Sequence, residues 1–92
     1  MRRHGKIDDN HTAVVKALRA CGCSVQSLAS LGAGVPDLLV ARNGKMWLLE
    51  IKDGRKAPSQ QRLTEDQIQW RIKWKAPVHL IHSVDEALAV IV

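Results

Sequence analysis

The sequence predicts an α/β sandwich on a mixed four-stranded sheet flanked by helices, in the order helix, three strands, helix, strand, helix. Three observations carry this. Asn43-Gly44 lies between two apolar runs, the strongest short signal for a β-hairpin. Both runs are apolar on two faces through their middles, at Leu38-Leu39-Val40 and Trp47-Leu48-Leu49, which marks central strands covered on both sides. A capped helical segment beginning at Thr64 then separates the hairpin from the short apolar run Val78-His79-Leu80-Ile81, the layout of a helical crossover to a fourth strand.

The elements follow in order. Residues 1–7 form a basic N-terminal arm, and residues 8–92 a single domain. Asp8, Asp9 and Asn10 suit a helix start. Val14, Ala17, Leu18 and Cys21 then recur at i, i+3, i+4 and i+7, one apolar helical face that ends at Gly22. Val25, Leu28 and Leu31 place a strand over Ser24 to Ser30, and Leu31-Gly32-Ala33-Gly34 is a turn that lets backbone pass close to a neighbour. The hairpin strands run from Pro36 to Ala41 and from Lys45 to Lys52. Asp53 to Arg62 is a polar, exposed and mobile loop. The next helix has Thr64 and Gln67 as a capping box and runs to about Lys75, ahead of Pro77. Ser83 with Glu86 predicts a second capping box, and Val84, Ala87, Leu88 and Ile91 the apolar face of the last helix.

Composition narrows the function classes. No run of about 18 apolar residues exists to span a membrane, and no apolar signal core follows the basic start Met1-Arg2-Arg3. A cytoplasmic location is expected. Fourteen Lys and Arg against 9 Asp and Glu give a net charge of +5, which favours a polyanionic partner. Phe and Tyr are absent and all 3 aromatic residues are Trp, which argues against base stacking as the main binding mode. Cys21 and Cys23, one residue apart, suit neither a disulfide nor a zinc site, and Cys21 is expected to be a small core residue at a helix end.

The chemistry concentrates at one end of the hairpin. With Asn43 and Gly44 as the two loop residues, Arg42 pairs with Lys45, Val40 with Trp47 and Asp37 with Glu50. Directly opposed residues hold their Cβ atoms ~4.5–5.5 Å apart. Lys52 follows Glu50 by two residues and shares its face. Two carboxylates and one amine thus converge, a set able to hold a hard divalent cation and activate a water. The plain alternative is a cross-strand salt bridge, worth little. Two facing carboxylates repel, however, and one Lys does not fully compensate. Gln67 divides between a capping role and a role at this site. Trp70 and Trp74, spaced i and i+4, suit core or dimer packing. Arg55, Lys56 and Arg62 in the loop, with Arg71, Lys73 and Lys75 on the helix, are candidate phosphate contacts that would position a nucleic acid without reading its sequence.

The run Gly34-Val35-Pro36-Asp37, followed by Glu50-Ile51-Lys52, resembles the PD-(D/E)XK nuclease motif. Together with Ser27-Leu28-Ala29, Leu63-Thr64, Asp66-Gln67, Trp70 and Ser83 to Ala87, the chain resembles a standalone, phage-type VRR-NUC domain over roughly residues 8–90. The resemblance implies a restriction-endonuclease-like fold and metal-dependent hydrolysis of DNA phosphodiesters. It implies Mg²⁺, with Mn²⁺ able to substitute, held by Asp37, Glu50 and the Ile51 backbone carbonyl. It gives Lys52 the attacking water and the charged phosphorane, and Gln67 the scissile phosphate or a metal-bound water. Branched DNA, four-way junctions first, is the implied substrate, and a homodimer would suit two symmetric cuts. Many relatives carry an acidic residue in the first helix facing the metal. The matching position here is Ala13, so Asp8, Asp9 and Asn10, one turn earlier, are the candidate contributors. No organic cofactor and no membrane are expected. The rival from another class is a DNA-binding module that kept the fold and lost turnover.

Overall fold

The computed structural model describes residues 9–92; the basic arm, residues 1–7, and Asp8 lie outside the described residues. The elements are α1 (His11–Ala20), β1 (Ser24–Ser27), β2 (Leu38–Arg42), β3 (Lys45–Ile51), α2 (Glu65–Lys73), β4 (Val78–Ile81) and α3 (Val84–Val90). This is the order the sequence predicts. The strands form one sheet in the spatial order β1-β2-β3-β4. The first three strands are antiparallel neighbours, and α2 carries the chain across to β4, which lies parallel to β3.

The hairpin has the predicted register, with Arg42 opposite Lys45, Val40 opposite Trp47 and Leu38 opposite Leu49. Asn43 and Gly44 both take positive φ, +52° and +78°, as a type I′ turn requires. The strands are shorter than expected at the charged end. Asp37 and Lys52 each lie one residue beyond the ladder. There the Asp37 carboxylate replaces a backbone acceptor, because its Oδ2 takes the Ile51 N–H at 2.7 Å.

Period-two alternation assigns Leu38, Val40, Leu49, Ile51 and Ile81 to one face of the sheet. Helices α1 and α3 cover this face and pack on each other, so that Val14 and Leu18 of α1 and Ala87 of α3 join those strand residues in one dry core. Full burial of each large aliphatic chain stabilises by about 1.5–3 kcal/mol. Helix α1 ends in a Schellman motif: Cys23 N–H donates to the Leu18 carbonyl, Gly22 N–H donates to that of Arg19, and Gly22 has φ +85°. The buried cysteine is Cys23, while Cys21 is exposed. The expectation for Cys21 fails because the helix stops at Ala20 and the Gly22 turn swings the next residue inward instead.

The opposite face, with Leu39, Ala41, Met46, Leu48, Val78 and Leu80, is only partly covered. Helix α2 lies over it but has no fully buried residue. Met46 is 64% exposed, Ile72 68% and Trp74 47%. Trp70 and Trp74 stack with ring centroids 4.6 Å apart and rim a groove against Leu39, Met46 and Leu48. Coverage on two sides is therefore incomplete. Helix α2 is also two residues shorter than predicted, because Trp74 already has extended backbone. In α3 only half of the capping box forms. Ser83 Oγ accepts the Glu86 N–H, but the Glu86 carboxylate turns to the His82 N–H and ring instead of the Ser83 N–H.

Candidate active site

The partly covered face carries the site. Asp37 precedes Leu39 by two residues and Glu50 follows Leu48 by two, so both carboxylates emerge beneath α2 at the open end of β2 and β3. Both are buried, Asp37 at 9% exposure and Glu50 at 2%. Lys52, beyond them on the same face, is equally enclosed. These three side chains line a cleft of about 480 Å³. Its walls are the Gly32–Gly34 turn, the loop from Lys56 to Arg62, and the first turn of α2 at Thr64, Asp66 and Gln67.

The walls are held by specific chemistry. The Gly34 backbone, at φ +85°, abuts the Asp66 peptide so closely that any Cβ there would overlap the Asp66 carbonyl. Glycine is thus required where the turn meets α2. The Thr64–Gln67 capping box closes in both directions: Thr64 Oγ1 accepts the Gln67 N–H at 3.2 Å, and Gln67 Oε1 accepts the Thr64 N–H at 2.8 Å. That leaves the Gln67 Nε2 free to donate to Glu50 Oε2 at 3.0 Å. The capping role expected of Gln67 is realised, and the same side chain also reaches into the cleft. Its oxygen caps the helix while its nitrogen holds the buried carboxylate.

Glu50 is the cleft carboxyl whose titration the fold shifts upward. Burial drives its carboxyl far above the usual carboxylate range, and the neighbouring Asp37 charge drives it further; Lys52 and Arg71 oppose this only in part. Among the described residues no third His, Cys, Asp or Glu joins the pair in a metal-binding cluster. Two carboxylates on one cleft wall nevertheless fit a magnesium-like ion, which takes one or two carboxylates and keeps several waters. The donor set therefore suits a hard divalent cation.

The candidate phosphate contacts separate. Lys56 and Arg62 line the Asp37–Glu50 cleft. Arg55 does not: its guanidinium grips Asp53 through two hydrogen bonds of 2.9 and 2.7 Å and faces a second cleft. This grip holds the Asp53 carboxyl down at about 2. Arg71 donates Nη2 to the Val78 carbonyl at 3.0 Å, tying α2 to β4, and its Nη1 is buried without a partner. Lys73 is exposed in the last turn of α2. Of the first-helix candidates, Asp8 lies outside the described residues. Asp9, Asn10 and Ala13 line the second cleft, with Asp53, His82 and Glu86. Asp9 lies 3.5 Å from the Lys56 ammonium. Asn10 instead donates to the backbone carbonyls of Lys52 and His82. Sequence reasoning missed that contact because it links positions 42 and 72 residues apart. The one available signal was an Asn at a helix start.

The comparisons agree with this geometry. The sequence matches no family model and no curated protein. A solved structure described as a VRR_NUC domain superposes with a TM-score of 0.61 at 26% identity, over 87% of this chain and 91% of that one. A mixed four-stranded sheet with its helices in this order, matched over nearly the full length of both chains, gives this protein the fold of a VRR-NUC domain.

Proposed function

We propose that this chain is a divalent-metal-dependent endodeoxyribonuclease that hydrolyses phosphodiester bonds in branched DNA, with four-way junctions the foremost candidate. One observation carries the reading. Asp37 and Glu50 are buried side by side on one cleft wall with Lys52, a placement that disfavours two ionised carboxylates and that a bound cation would offset. The likeness to a VRR_NUC domain supports a nuclease activity and DNA as partner. Asp37, Glu50 and the Ile51 carbonyl would hold Mg²⁺, or Mn²⁺ in its place. When bound, the ion lowers the pKa of a water and offsets charge on the phosphoryl oxygens.

The chain's own groups do the rest. The Ile51 N–H fixes Asp37 through Oδ2, and Gln67 Nε2 fixes Glu50 through Oε2. Lys52 orients the attacking water or takes its proton, and its charge stabilises the phosphorane as the P–O bond to the leaving sugar breaks. Lys56 and Arg62 hold flanking phosphates on one wall of the cleft. The exposed Met46, Ile72 and Trp74 supply an apolar face for a second copy, and a two-fold pair would set two clefts at a fixed separation. Among the described residues no helix is long and apolar enough to cross a membrane. A cytoplasmic enzyme in a bacterial or phage-infected cell fits this reading.

A second reading has one observation in its favour: Ala13 offers no carboxylate and lines a different cleft. On that reading the protein is a DNA-binding module of the same fold without turnover. Labelled four-way junction, linear duplex and single-stranded DNA, incubated with Mg²⁺, Mn²⁺ or chelator, separate the two. Cutting that needs metal, favours the junction and vanishes in Glu50→Ala supports the nuclease. Tight binding by a folded protein with no cutting in either metal supports the module. Lys52→Ala is expected to lower kcat by roughly 10²–10⁴-fold.

A further inference from the structure

Asn10 stands at the N-cap of α1 yet makes no side-chain capping bond to its own helix. Capping is what Asn ordinarily does there. Here Nδ2 reaches across the fold to the Lys52 carbonyl at 3.4 Å and the His82 carbonyl at 3.1 Å. Two carbonyl acceptors fix the amide orientation, since only the NH₂ end can donate to both. The residue is buried at 9% exposure.

The place matters more than the bonds. The β3–β4 ladder ends at the pair Ile51 and Ile81, so Lys52 lies just past regular pairing. Its N–H still donates to the Ile81 carbonyl at 2.9 Å, and the next turn is tied by the Gly54 N–H to the His82 carbonyl at 3.0 Å. The Lys52 carbonyl would otherwise have no partner from the sheet. Asn10 supplies it and, through the same NH₂ group, ties it to the carbonyl that anchors Gly54. The long stem of Lys52 is flexible, so its aim into the cleft starts from the direction of its own backbone.

We propose that Asn10 is a positioning residue for Lys52, a side-chain clamp that fixes the lysine's peptide where the sheet stops holding it. This rests on the nuclease reading above. It replaces the idea of a first-helix metal ligand with a first-helix brace for the amine. Small misplacements of a catalytic group can cost about 100-fold in rate.

The test uses Asn10→Asp, which keeps the shape, removes the donor and adds a charge, and Asn10→Ala, which removes the donor without a charge, with Val14→Ala as a control that weakens the same helix from its buried face. Single-turnover cleavage in Mg²⁺, DNA affinity in Ca²⁺, and amide hydrogen exchange are measured well below each melting temperature. The expected result is a fall in kcat of about tenfold or more in both Asn10 variants. DNA affinity should stay within about twofold, Lys52 N–H exchange should quicken, and Val14→Ala should keep its kcat. Equal kcat in Asn10→Asp and Val14→Ala, or unchanged exchange at Lys52, overturns the proposal. Parallel losses of DNA affinity and kcat also overturn it, because they indicate general unfolding. If wild-type protein cuts no DNA, the nuclease reading fails and the catalytic role of the clamp falls with it. The exchange rates at Lys52 then still decide whether the clamp exists.

Discussion

The two faces of the sheet are built for different ends. The α1–α3 face alternates cleanly, and Leu38, Val40 and Leu49 are wholly inaccessible there. The α2 face carries comparable apolar residues, but its covering helix buries none of its own fully, and it ends in two buried carboxylates. The first face is apolar through its centre and gives the chain its stability. The second gives up close packing so that α2 can wall a cleft on one side and present Trp70 and Trp74 on the other. Stability and chemistry are thus separated across a sheet one residue thick. A shift of register by one residue would exchange the two faces.

The largest expected effect breaks the closed face. Leu49→Ala should destabilise by about 2–5 kcal/mol, whereas Met46→Ala, in the same strand on the other face, should change the stability of the monomer by less than about 0.5 kcal/mol. Denaturant unfolding of both variants measures the contrast, and similar costs would erase it. Next comes the cleft wall. Gly34→Ala forces the turn away from the Asp66 peptide and takes a positive φ that alanine resists. It should lower thermal stability and disturb Gln67, seen as weaker divalent-ion binding; a variant with unaltered ion affinity would show that the wall does not position the site. A smaller effect concerns the second cleft. Arg55 holds the Asp53 carboxyl at about 2, below its ordinary 3.8. A depressed carboxyl contributes stability that is present above the ordinary value and lost as pH falls through the folded one. Arg55→Gln should therefore flatten the fall in melting temperature between pH 3.8 and about 2 and leave neutral behaviour little changed. An unchanged acid limb would show that the Asp53–Arg55 grip contributes nothing.

The legible part of the fold was local. Asn43-Gly44 set the hairpin register, and that register alone put Asp37 and Glu50 on one face. Thr64 and Gln67 declared the start of α2, and Gly22 the end of α1. Tertiary choices left no such trace. Leu39 and Leu48 look as core-like as Leu38 and Leu49, because apolarity does not reveal how closely a helix will approach. Arg55 looks like a phosphate contact until Asp53, two residues away, claims its guanidinium. Asn10 looks like a cap, because its acceptors belong to strands far along the chain.

The central claim is that Asp37 and Glu50 form one divalent-cation site. Calorimetric titration of Mn²⁺ into wild-type protein, Asp37→Ala and Glu50→Ala tests it without any substrate. Saturable binding by the wild type, abolished in both variants, is the predicted result. The heat should vary with the buffer, since a Glu50 carboxyl held protonated by burial and by Asp37 must release its proton to bind metal. Equal binding by all three proteins, or none by the wild type, would contradict the account.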